Sequence, residues 1–184
     1  MANGTENKVR FGLKNVYYAV WNGSAYDTPV AIPGAVNLDL DPTGETTKFY
    51  ADNIVYYMSI GNQGYEGSLE IAKIPDSMLK DVWGYTEGTT SKVLTENAEV
   101  EPATFALLYQ INGDQNNDLF VLYSVAAARP TIGSQTVEEN KEPHTQEFDI
   151  TAAPMSDGKV FAKTTKDTPT ATREAWFTSV FVES

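Results

Sequence analysis

The sequence predicts a mainly β protein, an antiparallel β-sandwich or barrel with one central helix and one short helix near the C-terminus. Large apolar residues repeat with a period of two over much of the chain, as they do in strands with one buried face. Clusters of Gly, Asn, Asp and Pro separate these segments and suit tight turns. No internal repeat divides the chain, so we expect residues 1–184 to form a single domain.

The clearest strands form a hairpin in the second half of the chain. Phe105–Ile111 and Leu119–Val125 both alternate, and the segment between them, Asn112–Asp118, is dense in turn residues. Phe120 and Leu122 are also apolar, so we expect the second strand to be covered on both faces. The other predicted strands are 11–21, 35–40, 54–60, 65–74, 147–152 and 159–163.

Two segments carry helix signals. In Pro75–Trp83 a proline and an aspartate suit the first turn, an apolar stripe follows, and Gly84 suits the stop. The second helix is predicted from Pro169 to Ser179. A short terminal strand is predicted after it, over Val180–Val182.

The segment 41–64 differs from the rest and is predicted to be a long loop or hairpin. It begins with polar turn residues and then exposes Phe49 and Tyr50. Long connections in compact β domains are usually functional or mobile. The polar residues 1–10 are predicted to form a flexible N-terminal arm.

Composition excludes several classes of chemistry. The chain has no cysteine, which excludes disulfides, thiolate nucleophiles and cysteine–zinc sites, and it has one histidine, His144. Its net charge of −12 opposes binding to nucleic acid or anionic lipid. The most apolar stretch, Leu119–Ala128, is about half of the roughly 20 residues that a membrane-spanning helix needs.

Two acidic segments suggest calcium, and neither fits well. Asp39–Gly44 begins like a calcium loop, but Tyr50 stands where the twelfth-position glutamate belongs. Asp114–Asp118 has alternate oxygen ligands but no glycine at the sixth position. A strand end and a hairpin turn explain these two segments better.

No set of catalytic residues can be assembled from the sequence. His144 lacks a framed serine nucleophile, so we interpret it as a surface residue. The pairs Glu66/Glu70 and Glu147/Asp149 could act as two carboxylates on a sugar, but alternation places each pair on the wet face of a strand. We therefore expect no enzyme, cofactor or metal. Two interpretations of the acidic faces stay open: ordinary solvation, which composition favours, and a surface that faces a polyanion without binding it.

Several segments, in order along nearly the whole chain, resemble one known family. They are Lys8–Ala19, Ile32–Leu38 with Asp41–Glu45, Phe49–Tyr57, Gly64–Ile71 followed by Ile74–Ser77, Arg129–Pro130 and Ala175–Phe177. Together these segments are similar to the major tail proteins, or tail-tube proteins, of long-tailed non-contractile phages of Gram-positive bacteria, of the phi13 type. None of these motifs is catalytic.

The resemblance implies a fold of the phage tail-tube type and a structural role. Such proteins form hexameric rings that stack into a tube, and DNA passes through the tube into the host without specific binding. The implied partners are further copies of the chain and the tape-measure, tail-tip and tail-terminator proteins, with no membrane. The implied location is the virion tail, after synthesis in the host cytoplasm.

The resemblance also gives the acidic and aromatic residues roles. A negative lumen would repel phosphates, and the acidic candidates for it are Glu66, Glu70, Glu147 and Asp149. The candidates for contact between subunits or rings are Phe49, Tyr50, Asp52, Tyr56 and Tyr57. The last two tyrosines could equally fill the core of their own domain. The alternative function is a non-catalytic β-sandwich that binds carbohydrate or a receptor on a virion or cell surface.

Overall fold

The computed structural model of the protein describes residues 11–113, 117–134 and 144–183. The flexible arm predicted over residues 1–10 lies outside the described residues, as does the part of the second calcium candidate at 114–116. Within the described ranges the protein is mainly β, as the sequence predicts, and its paired strands are antiparallel.

The strands are β1 (Phe11–Val20), β2 (Val30–Ile32), β3 (Ala35–Thr43), β4 (Thr46–Ala51), β5 (Ile54–Ile60), β6 (Gly64–Ile71), β7 (Thr86–Glu87), β8 (Leu94–Thr95), β9 (Phe105–Asn112), β10 (Asp118–Ala127), β11 (Gln146–Ala152) and β12 (Phe161–Lys163). The helices are α1 (Asp76–Asp81) and α2 (Thr170–Ala175), each shorter than the sequence predicts.

The main sheet has the strand order β2-β1-β9-β10-β11-β6-β3. One edge of strand β10 pairs with two different strands: its first half pairs with β12, and its last residues pair with β11. The sheet curls so that β3, at one end, contacts β1 near the other end. This curl makes two layers around a core, the arrangement of a β-sandwich.

The main core lies between the inward faces of these strands. Leu69, Phe105 and Ile150 are fully or almost fully buried there. Helix α1 closes the core with Met78, and the following Trp83 packs its ring edge-on against Phe148 at a centroid distance of 5.2 Å. Burial of such large side chains is the main stabilising contribution to a domain of this size.

A second apolar cluster lies on the opposite face of β1, β9 and β10. The C-terminal segment covers it through Trp176, whose indole N–H donates to the Phe120 carbonyl at 3.2 Å. Strand β10 is therefore covered on both faces, as its sequence predicts. The predicted terminal strand Val180–Val182 is wrong: the segment pairs with no strand, and Phe181 stacks on Trp176 instead.

Two buried tyrosines should make the fold sensitive to alkali. Burial raises the pKa of Tyr18 to about 12, and Asp81, which accepts a hydrogen bond of 2.8 Å from the Tyr18 hydroxyl, adds to the increase. Burial also raises the pKa of Tyr123 to about 12, and its hydroxyl donates to the Phe181 carbonyl. In the unfolded chain both groups ionise near pH 10. The unfolded state therefore loses its protons first, and the contribution of each tyrosine to stability declines as the pH rises from about 10 to about 12.

We expect the free energy of unfolding, measured by denaturant titration, to fall over this pH window. Tyr18→Phe and Tyr123→Phe should each make the fall shallower, because phenylalanine has no proton to lose. An unchanged pH dependence in both variants would contradict this assignment.

Candidate assembly surfaces

Strands β4 and β5 form an arm, residues 46–60, that projects from the sandwich. The arm continues the two-stranded ribbon formed by β3 and β6. The last residue pair of that ribbon is Thr43 with Gly64, and the first pair of the arm is Thr46 with Ile60. A two-residue turn at Asp52 and Asn53, both with positive φ, closes its tip. The sequence left a loop and a hairpin open for residues 41–64, and the structure has a hairpin whose first strand, β4, was not among the individual strands predicted.

The root of the arm is a close approach of two backbones. Gly61 N–H donates to the Glu45 carbonyl at 2.9 Å, and Gln63 N–H donates to the Thr43 carbonyl at 2.8 Å. A Cβ on Gly44 would lie 1.9 Å from the Gly61 carbonyl oxygen. Only glycine fits at position 44. The close backbone contact that glycine permits here fixes the direction in which the arm leaves the sheet.

The arm carries most of the large apolar side chains that the described protein exposes. Eight of them are between 46% and 72% exposed: Phe49, Tyr50, Ile54, Val55, Tyr56, Tyr57, Met58 and Ile60. Both faces of the ribbon contribute, since Phe49 lies opposite Tyr57 and the neighbouring pair, Lys48 with Met58, points to the other side. Within the described ranges β4 and β5 make substantial contacts only with each other.

The apolar area of the arm is comparable to that of one side of an interface. At roughly 200 Å² for each side chain and about 60% exposure, the eight present on the order of 900 Å² over the two faces. Each face alone, at roughly 450 Å², is within the range of about 300–600 Å² for the largest patch on a monomer, but the two faces together match the roughly 800 Å² that a standard interface uses from each partner. An isolated two-stranded hairpin is also only marginally stable in water. The arm therefore has enough apolar area to form an interface, and a partner that covers it would stabilise it.

The predicted contact residues all lie on this arm. Phe49, Tyr50, Tyr56 and Tyr57 are exposed side chains, and Asp52 occupies the tip. The alternative that Tyr56 and Tyr57 fill their own core is excluded, since they are 71% and 60% exposed. Sequence reasoning did not single out the aliphatic members of the surface, such as Ile54, Met58 and Ile60. Their signal was present in β5, where five apolar residues run from Ile54 to Met58 and Ile60 follows Ser59.

The second surface is an acidic face on the outer side of β3, β6 and β11. The strand registers bring nine side chains into three rows on one side of the sheet. The rows are Asn37–Glu70–Glu147, Asp39–Ser68–Asp149 and Asp41–Glu66–Thr151. Six of the nine positions are carboxylates, and none is a lysine or arginine.

Among the residues that the structure describes, neutral donors rather than cations contact carboxylates of this face. Ser68 Oγ donates to Glu147 Oε1 at 2.6 Å, and Thr145 Oγ1 donates to Glu70. Asn37 Nδ2 donates to Asp39 Oδ2 at 2.6 Å. Hydroxyl and amide groups orient the carboxylates without neutralising them, so the face keeps its negative field. Like charges directly opposite each other, such as Glu70 and Glu147, destabilise a sheet.

All four acidic residues singled out from the sequence lie together on this face: Glu66, Glu70, Glu147 and Asp149. Two further members, Asp39 and Asp41, were considered from the sequence as the start of a calcium loop, but the end of a strand was the preferred interpretation. The structure places both in strand β3, where they face outward at alternate positions. Their spacing is thus the period of a strand, and the same alternation identified the other carboxylates.

Other chemistry finds little support among the described residues. Residues 11–113, 117–134 and 144–183 contain no group of three or more His, Asp or Glu side chains arranged to hold a metal ion. His144 is exposed and lies two residues before the start of β11. No helix in these ranges is both long enough and apolar enough to cross a membrane.

Comparisons with known proteins assign this chain to no family. A scan against protein-family models finds no match, and a search of curated proteins finds none either. Among solved structures the chain is similar to the tube-terminating cap of the anti-feeding prophage, with a TM-score of 0.47 and 10% sequence identity. That similarity covers 90% of this chain and 99% of the cap chain. A likeness of this size establishes neither a common fold nor a common function.

Proposed function

We propose that the protein is a structural subunit of a phage tail tube, a major tail protein of the phi13 type, and not an enzyme. Its copies form hexameric rings, the rings stack, and DNA passes through the resulting channel into the host. The motifs that resemble this family support the proposal. The observation that carries it is the arm, because a monomer gains nothing from projecting about 900 Å² of apolar surface into water.

The acidic face supports the same function by its chemistry. DNA carries one negative charge for each phosphate, and a wall of uncompensated carboxylates repels it. Two of the three strands of this face, β3 and β6, lead directly into the arm, so assembly through the arm would position the face repeatedly along a filament. We propose that this face lines the channel, which explains why six carboxylates are retained on one side of the sheet despite their mutual repulsion.

The remaining partners follow from the tube. The ends of a stacked assembly need proteins that start and stop it, so tail-tip and tail-terminator proteins contact the terminal rings. A tape-measure protein occupies the channel before DNA does. The protein is located in the virion tail and is made in the cytoplasm of the host.

A second candidate function is favoured by one feature of the arm. Exposed tyrosines such as Tyr50, Tyr56 and Tyr57 are the side chains that carbohydrate- and receptor-binding modules use, since their rings are apolar and their hydroxyls polar. A binding module would remain monomeric and would bind a glycan or receptor through the arm. A tube subunit would instead bury the same tyrosines against its own copies.

Sedimentation and negative-stain electron microscopy of the purified protein distinguish the two functions. We expect rings or tubes above a critical concentration. A protein that stays monomeric at every accessible concentration, also after addition of preformed tail tips, would contradict the tube function. Glycan binding by that monomer, lost when Tyr56 is changed to serine, would establish the alternative.

A further inference from the structure

We propose that the tip of the arm docks into a groove at the far end of β3 on another copy of the chain. The inference rests on the proposed function, since it specifies the contact between the copies. The groove lies between the first half of β1 and the β2–β3 turn, and its apolar lining includes Leu13, Tyr17, Ala31, Pro33 and Ala35.

An irregularity in β1 shapes the groove. The pairing of β1 with β9 shifts register between Lys14 and Tyr17, and Asn15 adopts a positive φ of 50°. Asn15 is held there by a hydrogen bond of 2.7 Å from its Nδ2 to Gln110 Oε1. Beside the groove Val30 and Val36 are exposed, which extends its apolar rim.

The positions of arm and groove require two copies. The arm leaves β3 after Thr43, whereas the groove includes Ala35 at the start of the same strand. Eight residue steps of about 3.3 Å separate these ends by roughly 26 Å. The arm continues the ribbon away from the groove, so its tip cannot reach the groove of its own chain. Because the arm lies at one end of the subunit and the groove at the other, each copy contacts the next in a head-to-tail manner. Repetition of this contact produces a filament.

Charge selects this groove as the acceptor. The tip carries Asp52, and the single charged residue that lines the groove is Lys14. A second lysine, Lys73, follows Ala72, whose N–H donates to the Gly34 carbonyl at the edge of the groove. In a chain with 25 acidic and 13 basic residues, such an acid-free groove is a complementary site for an acidic tip.

Three other grooves of comparable size fit less well: one has no charged lining residue, one combines Lys163 with Glu183, and the third is acidic. The lining of this third groove includes Trp21, Tyr26 and Met155, and its single charged residue is Asp27, which would repel Asp52. Strand β11 ends at Ala152, which pairs with Tyr65 at the end of β6 that is next to the arm. Met155 follows three residues later, so this groove lies near the root of the arm. It therefore serves as the matched control.

Thiol cross-linking tests the contact, because the natural chain contains no cysteine. Asn53→Cys at the tip is mixed with Ala31→Cys in the groove, or with Thr178→Cys in the control groove, and a short bifunctional thiol reagent is added under assembling conditions. All three positions are exposed. We expect a covalent dimer from the tip and Ala31→Cys, and none from the tip and Thr178→Cys.

A charge exchange provides an independent measurement. Asp52→Lys and Lys14→Asp should each raise the critical concentration for assembly about fivefold, and the double variant should recover most of the loss. If the natural chain assembles but the tip cross-links to the control groove or to neither groove, the proposed contact is wrong and the tube function stands. If the natural chain does not assemble, the function itself fails.

Discussion

Replacing Phe49, Tyr56 and Tyr57 together by serine should abolish assembly and leave the fold intact. The three rings are 59–71% exposed, so their loss removes little burial from the monomer. If the arm forms the proposed contact between copies, the three rings are its anchors, and aromatic anchors at the centre of an interface contribute about 2 kcal/mol or more each. We expect the critical concentration, measured by sedimentation, to rise at least about a thousandfold.

The matched control for the arm variant removes exposed apolar side chains elsewhere. Val93→Ser with Ile132→Ser changes residues that are 58% and 87% exposed and lie outside the arm. This variant should assemble like the natural chain. If the arm variant has an unchanged melting temperature and also assembles normally, the arm is not the contact between copies.

Reversing charge on the acidic face should convert the channel from one that repels DNA into one that retains it. Glu66→Lys with Asp149→Lys changes two exposed side chains, and a closed ring multiplies the change by the number of copies. We expect tubes of this variant to bind linear double-stranded DNA at least about tenfold more tightly at low salt, with an affinity that falls as salt rises. Virions that carry the variant should release DNA slowly.

The control for this charge reversal is Glu99→Lys with Glu101→Lys, which makes the same charge change at two exposed positions away from the acidic face. Tubes of the control should resemble natural tubes in both DNA binding and DNA release. Equal behaviour of the two reversed pairs would show that the acidic face is ordinary solvated surface, which is the interpretation that composition favoured.

The sequence predicted those parts of the fold in which one face of an element is buried within the chain. Strands β9 and β10 were predicted because a core on one side imposes a period of two, and α1 because its apolar stripe faces the same core. Strands β4 and β5 bury neither face within their own chain, so no alternation marks them. Strand β5 was still predicted because its residues are mostly β-branched or aromatic, whereas the more polar Thr46–Ala51 was not predicted as a strand.

The candidate surfaces were predictable to different degrees. Alternation within one strand placed Glu66 and Glu70 on the same face of β6, and likewise Glu147 and Asp149 on the same face of β11. The register that brings these two faces together with Asp39 on β3 is a long-range property of the sheet, and alternation does not give it. The groove at Lys14 could not be predicted, because it arises from a register shift in β1 and from the approach of the β2–β3 turn.

A three-dimensional reconstruction of the assembled protein by electron cryomicroscopy tests the central claim most directly. We expect a hollow tube of stacked rings in which β3, β6 and β11 present their carboxylates to the channel, and in which each arm is buried against other copies. A solid filament, or a tube with the acidic face on its outer surface and the arms free in solvent, would contradict this expectation.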